Sequence, residues 1–334
     1  MKYRMLSRTG ERLSAVGLGC MGMSFAYGPV DDAESIATLH RALDLGINFW
    51  DTADMYANGK NEELISKVLA QNRKKVFIAT KFGFRFCDGK AGPSHSPNTY
   101  VDGSPAWVLE AAEASLKRLG IETIDLYYAH RIDPTVPVEE TVGAMAELVK
   151  QGKVRYIGLS EASAASIRRA HAVHPIAALQ SEFSLLSRDL EGGTLQTLRE
   201  LGISLVAYSP LSRGLMTATV NETSDLAADD FRRTLPRFDE LHMANNRALA
   251  NEFASFAKEK NITAAQLAIA WVLSKGDDII PIPGTKKRKY LEENAAAAEI
   301  ELSQADMKTL DELVGKFPDT GKRYSERSLQ MVDR

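Results

Sequence analysis

Residues Ile124 to Ser160 read IDLYYAHRIDPTVPVEETVGAMAELVKQGKVRYIGLS. The stretch begins and ends with mostly apolar runs, at 124–130 and 154–160, and an amphipathic segment at 138–150 lies between them. Near-continuous apolar runs of this length are typical of strands that are buried on both faces of a parallel sheet. Two such strands joined by a helix predict a β-α-β unit with a right-handed crossover.

The same alternation of strand and helix extends along the chain in both directions. Eight strand-like runs, each followed by a helical pattern, fit a closed (β/α)8 barrel, whereas an open doubly wound sheet would need five or six. The α/β fold predicted is therefore a (β/α)8 TIM barrel. Its strands are expected at 15–19, 48–53, 76–82, 124–130, 154–160, 178–183, 204–210 and 279–283, and its helices at 32–45, 62–70, 105–119, 138–150, 163–173, 189–201, 245–259, 288–298 and 303–314, with one more after a capping box at 263–266.

The domain organisation follows from the absence of a break in composition between these units. The 334 residues are expected to form one domain, 1–334, in which the barrel occupies about 15–300 and a C-terminal helix and tail occupy 301–334. This length exceeds that of a typical barrel, and the surplus is expected in irregular segments.

Three segments show no regular pattern: 83–104, 211–243 and the tail 315–334. The first two follow the third and seventh strands, which places them at the C-terminal face of a barrel, where active sites are built. Long irregular loops are uncommon and are usually functional. We expect the substrate to be recognised there.

Composition narrows the classes of function. The chain has 41 basic and 44 acidic residues, a net charge of -3, and so carries no global field that would attract nucleic acid or an anionic membrane. Its N-terminus does not resemble a targeting signal and no apolar run is long enough to span a bilayer, which predicts a cytoplasmic protein. Two cysteines cannot form a disulfide framework, and the six histidines lack metal-ligand spacing. No metal is expected, and the oligomeric state is left open.

A glycine motif near the N-terminus invites a dinucleotide-binding interpretation that the context does not support. Gly17, Gly19 and Gly22 match G-x-G-x-x-G after a strand. The motif binds a pyrophosphate only where a helix opens at the glycines, and here no helical pattern begins before about Asp32. We therefore expect the glycines to form a tight turn at the barrel mouth.

Four residues that can carry out proton chemistry fall at the ends of neighbouring predicted strands: Asp51, Tyr56, Lys81 and His130. A lysine inside a barrel needs a counter-ion, which Asp51 on the adjacent strand can supply. An ammonium beside Tyr56 would favour the phenolate and lower the pKa of that tyrosine, while His130 could orient a carbonyl. The alternative is a structural Lys–Asp pair with unrelated neighbours. The convergence of all four at strand ends favours a proton donor for a carbonyl oxygen.

A set of segments occurs in a fixed order along the chain: GERLSAVGLGCMGMS, INFWDTADMYANGKNEELISKVL, VFIATKFG, IDLYYAHRIDP, GKVRYIGLSEAS, LQSEFSLLSR, AYSPLSRGLMTA and IPIPGTKKRKYLEEN. Together they resemble the aldo-keto reductase superfamily from about residue 3 to about residue 314. The resemblance is greatest to its branch of soluble oxidoreductases with the YYAHRIDP and AYSPLSRGL motifs. It implies a catalytic tetrad of Asp51, Tyr56, Lys81 and His130.

The resemblance also implies an NADP(H) site. The basic segment GTKKRK at 284–289 suits a phosphate because it follows the last barrel strand and precedes a helix, although a solvated charge run is the alternative. The residues that the resemblance assigns to the cofactor are Tyr208 at the nicotinamide ring, Ser160 and Gln180 at its carboxamide, Ser209, Leu211 and Gly214 along the pyrophosphate, Gly284, Thr285 and Lys286 at the adenosine 2′-phosphate, and Glu293 and Asn294 at the adenine.

Two positions depart from the pattern of the superfamily. Glu161 stands where many members have Asn, and a carboxylate can accept a hydrogen bond from the carboxamide but cannot donate one. Tyr290 stands where many members have Arg, so the 2′-phosphate would depend on Lys286, helped by residues within 287–289. NADPH remains the expected cofactor in preference to NADH.

The hypothesis is an NADP-dependent aldo/keto reductase of the alcohol dehydrogenase or carbonyl reductase class. It would reduce an aldehyde or ketone of small size, with Tyr56 as the general acid. One alternative is an NADP(H)-binding redox-sensing or auxiliary subunit with slow turnover. Another is a barrel lyase that forms a Schiff base on Lys81, although a lysine held ionised by Asp51 is a poor nucleophile.

Overall fold

Eight parallel strands form the centre of the computed structural model, which describes residues 1–87, 99–220 and 222–333. The strands of the described residues, in chain order, are β1 (Tyr3–Met5), β2 (Arg12–Ser14), β3 (Leu18–Gly19), β4 (Phe49–Asp51), β5 (Phe77–Phe82), β6 (Phe84–Phe86), β7 (Thr99–Val101), β8 (Ile124–Ala129), β9 (Val154–Ser160), β10 (Ile176–Glu182), β11 (Ser204–Tyr208) and β12 (Ile279–Ile282). The barrel order is β3-β4-β5-β8-β9-β10-β11-β12, so each barrel strand pairs with the next one along the chain. The predicted (β/α)8 barrel is confirmed.

The barrel closes between its first and last strands where side chains are absent. The amides of Gly17 and Gly19 donate to the carbonyls of Pro281 and Pro283, at 2.9 and 3.2 Å. A Cβ on Gly19 would lie 2.9 Å from the carbonyl oxygen of Ile282. These two glycines of the G-x-G-x-x-G motif therefore allow β3 to approach β12, and our expectation of a tight turn at the mouth was wrong for them.

Helices pack around the barrel between its strands. They are α1 (Asp32–Asp44), α2 (Lys60–Asn72), α3 (Pro105–Leu119), α4 (Val138–Lys150), α5 (Ala164–Val173), α6 (Thr194–Leu201), α7 (Glu240–Glu259), α8 (Ala264–Leu273), α9 (Arg288–Ala296), α10 (Gln304–Gly315) and α11 (Glu326–Leu329). Their buried residues pack against the outward faces of the barrel strands in the main apolar core. No helix within the described residues is long and apolar enough to cross a membrane.

Helix ends follow the capping residues that the sequence supplies. Thr263 and Gln266 form the predicted capping box at the start of α8, and Gly120 ends α3 in a left-handed conformation. The helix expected at 189–201 is shorter, because Gly193, at a φ of 132°, separates a 3-10 turn from α6. Helix α7 begins before the expected residue 245, since the side chain of Asp239 accepts a hydrogen bond from the His242 amide.

Two hairpins lie outside the predicted pattern. Strands β1 and β2 pair antiparallel, and Leu6, directly after β1, and Leu13, within β2, are buried against inward-facing barrel residues such as Phe49 and Phe77. Strands β6 and β7 form a second hairpin within the segment 83–104, which was expected to be irregular. Residues 88–98 of that segment lie outside the described residues. Short 3-10 turns and α11 order much of the other two irregular segments.

Candidate active site

The candidate active site is built on Lys81, near the end of β5. Its side chain is fully buried, and its Nζ donates to Asp51 Oδ1 at 2.5 Å and to the Thr52 carbonyl at 2.7 Å. The ammonium also lies 3.5 Å from the hydroxyl of Tyr56. The other oxygen of Asp51 accepts a hydrogen bond from Gln180 Nε2 at 2.7 Å. A buried ammonium is therefore paired with a carboxylate that is itself fixed from a third strand.

Tyr56 and His130 complete the predicted tetrad. Tyr56 lies in the turn after β4, where its ring stacks on Phe25 with centroids 6.4 Å apart. His130 directly follows β8, and its ring meets the Tyr56 ring edge-on at a centroid distance of 6.1 Å. A second edge contact, with Phe84 at 4.9 Å, fixes the imidazole from the other side. The structure thus brings Asp51, Tyr56, Lys81 and His130 together.

Burial and charge act in opposite directions on these groups. Burial raises the pKa of Tyr56, and the charge of Lys81 offsets only part of this effect. The expected net lowering of the pKa of Tyr56 is therefore wrong, because desolvation of the phenolate outweighs the ammonium. Burial, followed by the charges of Lys81 and Arg131, lowers the pKa of His130 well below its ordinary value. Burial would also lower the pKa of Lys81, but the charges and hydrogen bonds of Asp51 and Tyr56 together outweigh it and the pKa is raised.

A cavity of about 1100 Å³ opens at this end of the barrel. Asp51, Tyr56 and His130 line its floor, and Lys81 lies beneath them. All eleven residues that the resemblance assigns to the cofactor also line this cavity: Ser160, Gln180, Tyr208, Ser209, Leu211, Gly214, Gly284, Thr285, Lys286, Glu293 and Asn294. The structure brings the predicted catalytic and cofactor residues to one continuous surface.

The far end of the cavity has the chemistry of a phosphate site. Lys286 Nζ donates to the backbone carbonyls of Tyr27 and Pro29, at 2.7 and 2.5 Å, and forms no ion pair with a carboxylate of the described residues. Glycines 214 and 284 present bare backbone to the same cavity. A positioned cation without an anionic partner, beside open backbone, fits the 2′-phosphate of NADP(H).

The helpers proposed for Lys286 divide into two groups. Arg288 forms an ion pair with Glu34 on α1 at 2.8 Å and does not line the cavity. Lys287 and Lys289 do line it, together with Tyr290. The Lys287 ammonium lies 5.9 Å from the centre of the Tyr290 ring, so the tyrosine contributes an aromatic surface beside this lysine.

Glu161 is a buried carboxylate that is hydrogen-bonded to the C-terminal tail. It follows β9 in a left-handed conformation, with a φ of 53°, and is 3% exposed. Both of its carboxylate oxygens accept hydrogen bonds from Arg323, at 2.8 and 2.6 Å. The hydroxyl of Tyr208 donates to the same carboxylate at 2.8 Å. Arg323 therefore supports the ionised form, and the pKa of Glu161 falls to about 2 although burial opposes this.

The C-terminal tail thus reaches the residue expected beneath the nicotinamide. The hydroxyl of Tyr324 lies 2.9 Å from that of Tyr208. Further along, the carboxylate of Asp333 accepts hydrogen bonds from the amide and hydroxyl of Ser163, at 2.9 and 2.8 Å. The tail was expected to be irregular, but its polar contacts fasten it across the cavity beside β9 and β11.

Sequence reasoning missed four residues at this site: Arg131, Arg213, Arg323 and Tyr324. Arg213 pairs with the buried Glu182 at 2.9 Å and faces the cavity. The signal for the first two was present, since each lies within a motif that carries the resemblance. The tail residues lie beyond residue 314, and nothing in the chain adjacent to them reveals a partner more than 100 residues away.

Other candidates do not form sites. Cys20 is buried, and burial raises the pKa of its thiol, while Cys87 is exposed. Among the described residues, no group of three or more His, Cys, Asp or Glu side chains is arranged to hold a metal.

Comparisons with known proteins agree with this geometry. The aldo/keto reductase family model matches residues 15–314. A glycerol dehydrogenase from Gluconobacter oxydans is 29% identical, with a TM-score of 0.85 over 94% of this chain and 95% of its own. An aldo-keto reductase from Bacillus halodurans in its holo form is 27% identical, with a TM-score of 0.75 over 98% of both chains.

A third solved structure carries a cofactor. It is an aldo/keto reductase from Klebsiella pneumoniae in complex with NADP and acetate, 25% identical, with a TM-score of 0.72 over 98% of this chain and 99% of its own. The family match and the solved structures span nearly the whole barrel. The chain therefore belongs to the aldo/keto reductase family, as its motifs predicted.

Proposed function

We propose that this protein is an NADPH-dependent oxidoreductase that reduces aldehydes or ketones to alcohols. The observation that carries the proposal is the hydroxyl of Tyr56 on the cavity floor, 3.5 Å from a buried ammonium and beside the ring of His130. A phenol in that position can give its proton to an oxygen in which negative charge develops.

Each residue of the predicted tetrad has its own role in the transfer of the proton. Tyr56 donates its proton to the carbonyl oxygen as the substrate is reduced, and solvent restores it afterwards. Lys81 stabilises the phenolate that forms, because a positive charge is already placed beside that oxygen. Asp51 keeps Lys81 ionised despite its burial. The depressed pKa of His130 leaves its imidazole neutral, so it acts as a hydrogen-bond donor to the carbonyl.

The residues that would hold NADP(H) are the eleven that line the cavity from Ser160 to Asn294. When bound, the cofactor supplies the hydride that reduces the carbonyl carbon. Gln180 donates to Asp51 through its side-chain nitrogen, and its side-chain oxygen is the atom that can accept a hydrogen bond from the carboxamide. Lys286 supports the preference for a 2′-phosphorylated cofactor.

The same geometry argues against the Schiff-base alternative. A lysine nucleophile must be a free amine, and Lys81 is buried against Asp51 with its pKa raised. Tyr56 also covers its Nζ, whose distance from the centre of that ring is 5.1 Å.

The experiment that tests the proposal is NADPH oxidation by the purified protein with a panel of aldehydes, ketones, sugars and pyridoxal. We expect turnover with at least one class of carbonyl compound and formation of the matching alcohol. Tight binding of NADPH without turnover on any of them would contradict the proposal and favour the redox-sensing or auxiliary role.

A further inference from the structure

Arg131 lies at the catalytic end of the cavity, directly after His130. Its Nη1 donates to the carbonyl of His130 at 2.7 Å and to the hydroxyl of Ser160 at 3.3 Å. The guanidinium carbon lies 5.8 Å from the centre of the Phe84 ring. The Nε is buried and has no hydrogen-bond partner in the described part of the chain. The side chain is therefore held in place from one side while part of its donor fork is unused.

The charge of Arg131 also has no dedicated counter-ion. Within the described residues no carboxylate lies within ion-pair distance of it. Glu161 gives both of its carboxylate oxygens to Arg323. The neighbouring buried cations differ in this respect, since each has a carboxylate within 2.9 Å: Lys81 with Asp51, Arg213 with Glu182, and Arg323 with Glu161.

The two ends of the cavity are alike in this feature. Lys286 at the far end is held by backbone carbonyls, without a carboxylate partner in the described structure, and is the residue expected to meet the 2′-phosphate. Arg131 at the near end is held by a carbonyl and a hydroxyl. A cation held in this way is prepared for an anion that arrives from outside the chain.

The walls around Arg131 would strengthen such a contact. Phe25, Met55, Phe84 and Met331 line this part of the cavity, so the guanidinium is screened by little water. A planar guanidinium matches a carboxylate through paired N–H donors, which a neutral group of the same size does not engage.

We propose that Arg131 binds a carboxylate of the substrate, and that the preferred substrates are aldehydes or ketones that carry one. The inference rests on the proposed function, since it assigns the substrate class of that same site. It adds a specificity-determining residue beside the tetrad.

The experiment compares two probes that differ in charge: 4-carboxybenzaldehyde and its neutral methyl ester, methyl 4-formylbenzoate. The quantity measured is the ratio of kcat/KM for the acid to kcat/KM for the ester, with NADPH saturating. We expect Arg131→Gln to lower this ratio by about ten-fold or more, since hydrogen bonds to charged groups are among the stronger ones. The ester is the internal reference, so a loss of turnover that affects both probes cancels in this ratio.

Arg85→Gln is the matched control. Arg85 lies on β6 at the same end of the barrel, pairs with Asp102 at 2.8 Å and does not line the cavity. Its replacement should leave the ratio unchanged, which separates a local contact from a general loss of positive charge.

Other results of this experiment would count against the role of Arg131 or against the proposed function. If Arg131→Gln weakens NADPH binding and slows both probes equally, the guanidinium serves the cofactor through Ser160 and the inference is wrong. Reduction of both probes with an unchanged ratio overturns the inference alone. If the wild type reduces neither probe nor any other carbonyl compound, the proposed function itself fails.

A second variant keeps the test decisive if Arg131→Gln does not fold. Arg131→Lys retains the charge and loses the planar fork. We expect it to lower the ratio by a few-fold. An unchanged ratio in Arg131→Lys, in the absence of a folded Gln variant, would contradict recognition through the fork.

Discussion

At the scale of single residues, desolvation and neighbouring charges act in opposite directions on the pKa values of the groups proposed to be catalytic. Burial disfavours both the phenolate of Tyr56 and the imidazolium of His130, so the first keeps its proton and the second does not gain one. Lys81 remains charged among them because Asp51 lies 2.5 Å away. Near pH 7 we therefore expect Tyr56 to be a neutral phenol, His130 to be a neutral imidazole and Lys81 to be a charged ammonium.

This arrangement predicts the pH dependence of reduction. Since the pKa of His130 is depressed, the imidazole stays neutral as pH falls through about 6.5, where a free histidine would titrate. Since the pKa of Tyr56 is raised, its proton is retained up to at least about pH 10. We expect kcat/KM to be flat from about pH 6 to 9 and to fall only above that range. A clear inflection near the ordinary histidine pKa would contradict this account.

Lys286 gives a prediction about the choice of cofactor. Lys286→Met removes the cation expected at the 2′-phosphate, so the Kd for NADPH should rise by roughly ten-fold or more. NADH lacks that phosphate and serves as the internal control, and its Kd should change little. Fluorescence titration of both cofactors measures the effect. An equal loss of affinity for the two would mean that Lys286 only supports the local backbone.

The convergence of the four residues could be predicted from the sequence, because they fall at the ends of consecutive barrel strands. The role of Glu161 could not. Its partner Arg323 is 162 residues away along the chain, and no local pattern marks the pair. The net effect on Tyr56 was also missed, since the depth of burial of a side chain depends on the assembled barrel.

At the scale of elements, the ends of β9 and β11 are in contact with the C-terminal tail. Glu161 directly follows β9, Tyr208 ends β11, and the tail brings Arg323 and Tyr324 into contact with them. Sequence patterns predicted the barrel strands because near-continuous apolar runs are distinctive. They missed the hairpin of β1 and β2, whose three-residue strands are too short to show a period.

The ion pair between Glu161 and Arg323 predicts coupled stability effects. Removing one partner leaves a buried charge unpaired, so Arg323→Gln should lower the free energy of unfolding by about 3–5 kcal/mol. The double variant Glu161→Gln/Arg323→Gln should lose less than the sum of the two single losses. Urea denaturation of the four proteins measures the coupling. Strict additivity would show that the pair contributes nothing as a pair.

The ion pair between Glu161 and Arg323 also makes the stability of the folded protein depend on pH. The pKa of Glu161 is about 2 in the folded protein and 4.5 ordinarily, so its contribution to stability is present above pH 4.5. It is lost as pH falls from 4.5 towards 2. Glu161→Gln should reduce the steepness of acid unfolding in that range.

At the scale of the whole molecule, the barrel is closed by a seam that only small residues permit. A Cβ placed on Gly19 would lie 2.9 Å from the carbonyl oxygen of Ile282 and 3.3 Å from the Cα of Gly284. The seam brings the C-terminal end of β12, after which the chain leads to Lys286, next to the ends of β3 and β4. Closure and the shape of the cavity therefore depend on the same contact.

Gly19→Ala tests that dependence against a matched substitution. The added methyl cannot fit without moving β3 from β12, so the free energy of unfolding should fall by about 1–3 kcal/mol. Gly143→Ala in α4 is the control, because a Cβ there meets no atom within 4 Å. It should raise stability by roughly 0.5–1 kcal/mol through helix propensity. Equal effects of the two, measured by urea denaturation, would exclude a tight seam.

The measurement that tests the central claim most directly is the turnover of Tyr56→Phe beside its affinity for NADPH. Tyr100→Phe, an exposed tyrosine on β7, is the control. We predict that Tyr56→Phe folds, binds NADPH with nearly the wild-type Kd and loses almost all of its kcat for a good aldehyde, because only the donated proton is removed. Reduction of that aldehyde by Tyr56→Phe at the wild-type rate would contradict the assignment of Tyr56 as the proton donor.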